Sequence, residues 1–77
     1  MSIGSFFKTE LSQVCAIKLK ELDIDAPLIG YGVDSVRAFD LICALEDEYD
    51  IEIVDEIIPQ LKTARLVIEH VENLIGQ

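Results

Sequence analysis

Several kinds of residue are scarce in this chain, and each scarcity excludes a class of protein. Only two prolines and four glycines occur among 77 residues of which 51% are apolar, a composition that argues against disorder. No apolar run approaches the ~20 residues that span a bilayer, and no charged-then-apolar leader stands at the start. We therefore expect a cytoplasmic protein that does not insert into a membrane.

Cysteine and histidine are almost absent, which bears on catalysis and metal binding. The two cysteines, Cys15 and Cys43, fall in helical patterns, and we expect no bridge between them in a reducing compartment. The single histidine, His70, is far along the chain from any serine that it could activate. Clustered Cys and His ligands are missing as well. The sequence therefore predicts neither catalytic residues nor a metal site, and the protein is expected not to be an enzyme.

Positive charge is scarce too, with six basic residues against fifteen acidic ones and a net charge of −9. The imbalance lies beyond residue 22, where thirteen acids face only Arg37, Lys62 and Arg65. Nucleic acid is an unlikely partner for such a surface because its phosphates would be repelled. Enzymes with basic docking patches fit better, although acidity also serves solubility alone.

Four stretches have helical periodicity, and they predict an all-α fold. The first runs from about Ser5 to Lys20, with Ser2 and Ser5 both as possible N-caps, and the second from about Ser35 to Tyr49. A short third helix is predicted from Asp55 to Leu61, with Pro59 straining its second turn. The last helix follows an N-cap at Thr63. We expect a small four-helix bundle, three main helices plus one short helix, forming a single monomeric domain over residues 1–77.

The apolar spacing also predicts which residues face the core. In the second helix the row Leu41, Leu45 and Tyr49 should face inward, flanked by Ile42 and Phe39. A neighbouring exposed stripe contains Val36, Asp40, Cys43 and Asp47. The inward face of the last helix contains Ala64, Val67, Ile68, Val71, Leu74 and Ile75.

Two connections join these helices. The first, 22–32, contains Leu28, Ile29 and Tyr31, which are expected to anchor it to the core. In the second, Ile51-Glu52-Ile53 alternates like a strand but is too short for one, so we predict a connection that buries both isoleucines.

Ser35 stands at the predicted start of the second helix, after the turn that ends at Gly32. The unpaired N–H groups and the positive dipole end of a helix N-terminus favour a phosphate. The alternative is that Asp34 or Ser35 acts only as an N-cap.

The residues around Ser35 resemble a known family. The run Gly32-Val33-Asp34-Ser35-Val36, followed by Ala44-Leu45-Glu46 and Ile51-Glu52-Ile53, resembles the acyl carrier protein family from about Leu11 to Val71. The resemblance implies that Ser35 carries a 4′-phosphopantetheine arm, derived from coenzyme A, whose thiol holds acyl groups as thioesters. It implies that Asp34 belongs to the recognition motif.

The resemblance also implies partners and further site residues. The partners are a phosphopantetheinyl transferase and acyl-transferring or acyl-activating enzymes with basic patches. The docking surface would contain Val36, Arg37, Asp40, Cys43, Asp47 and Glu48. An acyl pocket would be lined by Phe39, Ile42, Leu45, Ile53, Ile58, Leu61 and Val67.

The pathway is left open by these residues. A role in fatty-acid, lipid or specialised acyl biosynthesis is expected, and Val36 and Arg37, where the family usually has Leu and an acid, favour a specialised carrier. The segment 26–32 looks more like aminoacyl, peptidyl or polyketide carriers, which is the alternative. A helical interaction module with an unused serine is the remote alternative.

Overall fold

The structure, a computed structural model, describes residues 2–76, which form three α-helices joined by connections that contain short 3₁₀ helices. The helices are α1 (Ile3–Cys15), α2 (Ser35–Tyr49) and α3 (Ala64–Leu74). No strand forms within 2–76, where one isolated antiparallel bridge pairs Pro27 with Thr63. The all-α prediction is confirmed. The predicted domain includes Met1 and Gln77, which lie outside the described residues, and its bounds stay a prediction.

Of the two possible N-caps of α1 the structure uses Ser2, and the helix ends earlier than predicted. The hydroxyl of Ser2 accepts a hydrogen bond from the N–H of Ser5 at 3.1 Å and caps the helix. At the other end Ala16 takes the left-handed conformation, with a φ of 56°, and the N–H of Ile17 turns back to the carbonyl of Ser12. The helix therefore ends at Cys15, and the prediction that it continues to Lys20 is wrong.

α2 has the predicted bounds and is held to α3 mainly through α1. The side chain of Asp34 accepts the N–H of Arg37 at 2.9 Å, and the helix ends before Asp50. α1 packs against both α2 and α3, whereas contacts between α2 and α3 are sparser among residues 2–76. The largest fully buried side chains at this junction are Phe7, Leu11, Leu45 and Val71.

The predicted short third helix forms as a 3₁₀ helix. The segment around Ile58–Gln60 is a 3₁₀ helix, and the N–H of Ile58 bonds to the carbonyl of Asp55 at 3.3 Å. Pro59 has no N–H to offer that carbonyl, and its ring would clash with it in an α-helix. The short helix predicted from Asp55 to Leu61 is therefore limited to Ile58–Gln60 and is of the 3₁₀ type.

The first connection is fastened to the start of α3. The N–H of Leu28 donates to the carbonyl of Lys62 at 2.8 Å, and the N–H of Arg65 donates to the carbonyl of Ile24 at 2.9 Å. The guanidinium of Arg65 also donates hydrogen bonds to both carboxylate oxygens of Asp25, the longer of which is 3.1 Å. These bonds fix the turn that leads into α2.

Three predicted core residues are exposed instead. Phe39 is 61% exposed, Ile29 is 81% exposed and Leu74 is 44% exposed. Phe39 is two residues from the buried Leu41, so it points about 200° around α2 from it. The other flanking residue of α2, Ile42, is buried as predicted, and so is Ile53, while Ile51 is half-buried. No helix within residues 2–76 combines the length and the apolarity needed to span a membrane.

Candidate functional site

Ser35 is the first residue of α2, and its side chain is exposed. The N-cap role belongs to its neighbour, because the Asp34 carboxylate accepts the N–H of Arg37 and the Asp34 carbonyl accepts the N–H of Ala38 at 2.9 Å. The N–H groups of Ser35 and Val36 precede the first intrahelical bonds and remain at the positive end of the helix dipole. The Ser35 hydroxyl therefore does not cap the helix, and it lies at the helix N-terminus, where a phosphate is stabilised.

Arg37 fastens this helix end to the preceding turn. Its guanidinium donates a hydrogen bond to the carbonyl of Gly32 at 3.1 Å and lies 3.8 Å from the Asp34 carboxylate. Gly32 has a φ of +82°, a backbone conformation that residues other than glycine rarely adopt. All these groups are exposed, so the ion pair contributes little energy, but it partly neutralises the carboxylate beside Ser35.

An open trough of about 590 Å³ begins at Ser35. We call it the Ser35 trough; it is lined by Ile29, Val33, Asp34, Ser35, Ala38, Phe39, Ile58 and Pro59. Its walls come from three separate parts of the chain, namely the first connection, the start of α2 and the 3₁₀ helix at Ile58–Gln60. Six of the eight residues are apolar, so the trough offers an apolar surface directly beside the serine hydroxyl.

A much smaller cavity lies behind the trough. It has about 30 Å³ and is lined by Phe7, Leu28, Val33, Ala38, Leu41, Ile42, Ile58, Leu61 and Val67. Val33, Ala38 and Ile58 line both spaces and therefore stand between them. A cavity of about 150 Å³ binds benzene, and this one, at about a fifth of that volume, is too small for an acyl chain unless the helices move apart.

The residues predicted to line an acyl pocket are only partly brought together. Ile42, Ile58, Leu61 and Val67 line the small cavity. Phe39 lines the Ser35 trough, and the buried Leu45 and Ile53 line neither space. Sequence reasoning missed Ile29, Val33, Ala38 and Pro59 as lining residues, because their meeting depends on tertiary contacts that no local pattern records.

The predicted docking surface lies along the outer side of α2. Asp40, Asp47 and Glu48 are exposed, and Val36 is 71% exposed. Cys43 is half-buried, and burial, with the nearby carboxylates of Glu46, Asp47 and Asp40, raises the pKa of its thiol. The thiol therefore stays protonated at neutral pH and is a poor nucleophile.

Nothing near Ser35 equips it to act as a nucleophile on its own. His70 lies in another groove, together with Ile57 and Leu66, and does not line the Ser35 trough. No group of three His, Cys, Asp or Glu side chains within 2–76 is arranged to hold a metal ion.

Comparison with protein families agrees with this geometry. The family model described as "Phosphopantetheine attachment site" matches residues 5–71, which is most of the chain. Domains of this family bind 4′-phosphopantetheine covalently and carry acyl groups without being enzymes themselves. The exposed serine hydroxyl at the start of α2 fits such a group. The chain belongs to the phosphopantetheine-binding carrier proteins, the family that includes the acyl carrier proteins.

Proposed function

We propose that Ser35 is the residue that carries the phosphopantetheine arm, and that the protein presents acyl groups bound to that arm to partner enzymes. The observation that carries the proposal is the free Ser35 hydroxyl at the N-terminus of α2, with the capping role taken by Asp34. The arm supplies a thiol on which an acyl group is held as a thioester. The chain itself supplies the attachment oxygen and the charges around it.

Three features of the chain suit a phosphodiester at this oxygen. The N–H groups at the start of α2 favour negative charge. Arg37, one turn into the helix, offsets the adjacent Asp34 carboxylate. The hydroxyl is exposed and at the edge of an open trough, so a phosphopantetheinyl transferase can reach it without unfolding the domain.

For the docking of partners we propose the outer side of α2. Asp40, Asp47 and Glu48 give it negative charge, and the exposed Val36 gives it an apolar contact beside Ser35. Enzymes with a basic patch around an apolar centre complement this arrangement. Asp34 and Arg37 form the border nearest to the arm, and we assign to them recognition by the transferase.

We place the carrier in fatty-acid, lipid or specialised acyl biosynthesis, in the cytoplasm and as a monomer. One observation favours a second candidate, an aminoacyl, peptidyl or polyketide-type carrier. The cavity of about 30 Å³ behind the trough does not hold a long chain in the closed fold, whereas a polar or short intermediate would stay outside it.

The experiment that tests attachment is the intact mass of the protein after incubation with coenzyme A, magnesium and a transferase of broad specificity. The proposal predicts the gain of one phosphopantetheine group by the whole sample. No gain with several transferases would contradict the proposal and favour an interaction module with an unused serine.

A further inference from the structure

The most exposed large apolar side chains of residues 2–76 lie around one point. Ile29, Val36 and Phe39 are 81%, 71% and 61% exposed, and no other large apolar residue described exceeds 51%. All three flank Ser35 in the structure or along the chain, and two of them line the Ser35 trough. Single exposed apolar residues need no explanation, but a group around a functional atom marks a contact site.

The shape of the trough restricts what this contact is. Phe39 follows Ser35 by one helical turn, so its ring stands on the same side of α2 as the serine hydroxyl. Ile29 approaches from the first connection and Pro59 from the 3₁₀ helix. A group attached to the Ser35 oxygen therefore has these apolar walls within reach from its first few bonds.

The chemistry of the arm identifies the group that meets these walls. The phosphate is followed by the pantoyl unit, whose quaternary carbon bears two methyl groups. Beyond it come two amides, whose burial without hydrogen-bond partners is unfavourable, and only then the thiol. The branched pantoyl unit is thus the apolar part nearest to Ser35, while an acyl group is attached at the far end.

We propose that the Ser35 trough receives the pantoyl half of the arm, with its paired methyl groups packed against the ring of Phe39 and the side chain of Ile29. This proposal rests on the attachment at Ser35 proposed above. The trough then orients the arm from its first bonds onward, before any acyl group is loaded. Phe39 and Ile29 are positioning residues, because they contact the arm and not the thioester.

The test is proton NMR of the fully modified protein, prepared with coenzyme A that is ¹³C-labelled in the two pantoyl methyl groups. The packing predicts an upfield shift of both methyl resonances from their positions in free coenzyme A, together with nuclear Overhauser effects to the Phe39 ring. Phe39→Leu keeps the trough apolar but removes the ring, so the upfield shift should be lost. Val54→Ala is the matched control, since Val54 is 51% exposed but does not line the trough.

Intact mass shows first that the arm is attached, so a failure of attachment is distinguished from a failure of packing. Methyl resonances at their free positions in a fully modified sample would overturn the proposal, because the arm would then lie in solvent. So would a shift that appears only at high protein concentration, which would assign the trough to a second copy of the chain.

Discussion

On one face of α2, Leu41, Ile42 and Leu45 are at most 5% exposed and pack into the core, whereas on the face that begins at Ser35, Val36 and Phe39 are 71% and 61% exposed. Both groups of side chains are apolar, but only the first is covered by other parts of the chain. α2 therefore buries one side in the core and leaves the side that begins at Ser35 open to solvent. Substitutions on the two faces should therefore have separable effects.

The largest effect on stability is expected on the covered face. Leu45→Ala removes a fully buried side chain and should lower the free energy of unfolding by about 2–5 kcal/mol. Phe39→Ala, the matched change on the exposed face, should stay within about 0.5 kcal/mol. Urea denaturation followed by circular dichroism measures both. Equal losses would show that Phe39 is part of the core and would break the comparison.

The next effect concerns what the arm carries. If the helices move apart to admit an acyl chain of eight to ten carbons, its burial adds roughly 3–4 kcal/mol after a discount of half for chain ordering and core rearrangement. The melting temperature should then rise by about 10 °C or more along a thioester series from two to ten carbons. An aminoacyl group should give no such rise, since its ammonium stays in water.

The small cavity makes this series informative. Burial requires the space of about 30 Å³ to enlarge, and the sparse contacts between α2 and α3 make a movement of these helices the expected route. A melting temperature that does not change along the series would contradict burial of the acyl chain and would favour the aminoacyl or polyketide alternative. Val67 lines the cavity, and Val67→Phe is expected to fill it and so to abolish the rise in melting temperature along the series.

A smaller effect is expected at the border of the docking surface. Arg37→Asp restores an acid where the family usually has one, and it should strengthen binding to enzymes of ordinary fatty-acid synthesis by up to about 1 kcal/mol, or about fivefold. The gain should shrink in 1 M salt, where the Debye length is about 3 Å. Titration calorimetry at two salt concentrations provides the measurement, and Arg37→Gln separates the loss of the cation from the gain of the acid. Unchanged or weaker binding would show that Arg37 does not set specificity.

The smallest effect is expected where the first connection meets α3. The hydrogen bonds from Arg65 hold the pKa of the Asp25 carboxyl below its ordinary value of 3.8. Because the folded-state pKa is depressed, the contribution of this pair is present above the ordinary pKa and is lost as the pH falls through the lowered one. Asp25→Asn should therefore melt at a slightly lower temperature at pH 7.

Melting temperatures measured over a pH series test whether loss of the Asp25–Arg65 ion pair causes the lower melting temperature of Asp25→Asn. The deficit of Asp25→Asn should vanish well below pH 3.8, where the wild-type carboxyl is protonated as well. The exposed Glu52→Gln serves as the control for the removal of one negative charge. A deficit that persists unchanged at low pH would assign it to something other than the ion pair.

The sequence was sufficient for elements whose signals are local. A cap at Asp34 or Ser35, the periodicity up to Tyr49 and the Thr63 cap predicted α2 and the start of α3 correctly. The end of α1 was missed because Ala16 adopts a left-handed conformation that glycine usually marks. Pro59 signalled strain but not its outcome, a 3₁₀ helix.

Only part of the candidate site could be predicted from the sequence. Ser35 and Asp34 stand in a recognisable local motif, and the exposed acids of α2 follow from its periodicity. The Ser35 trough could not be predicted, because Ile29 and Pro59 meet only through the tertiary fold. Phe39 was placed in the core because an apolar residue at the border of a helical face is compatible with either side.

The central claim, that Ser35 is the attachment site of the arm, is tested most directly by intact mass after incubation of Ser35→Ala with coenzyme A and a transferase. Ser5→Ala, an exposed serine of α1, is the matched control. The account predicts one added phosphopantetheine group on the wild type and on Ser5→Ala, and none on a folded Ser35→Ala protein. A mass gain by Ser35→Ala would contradict it.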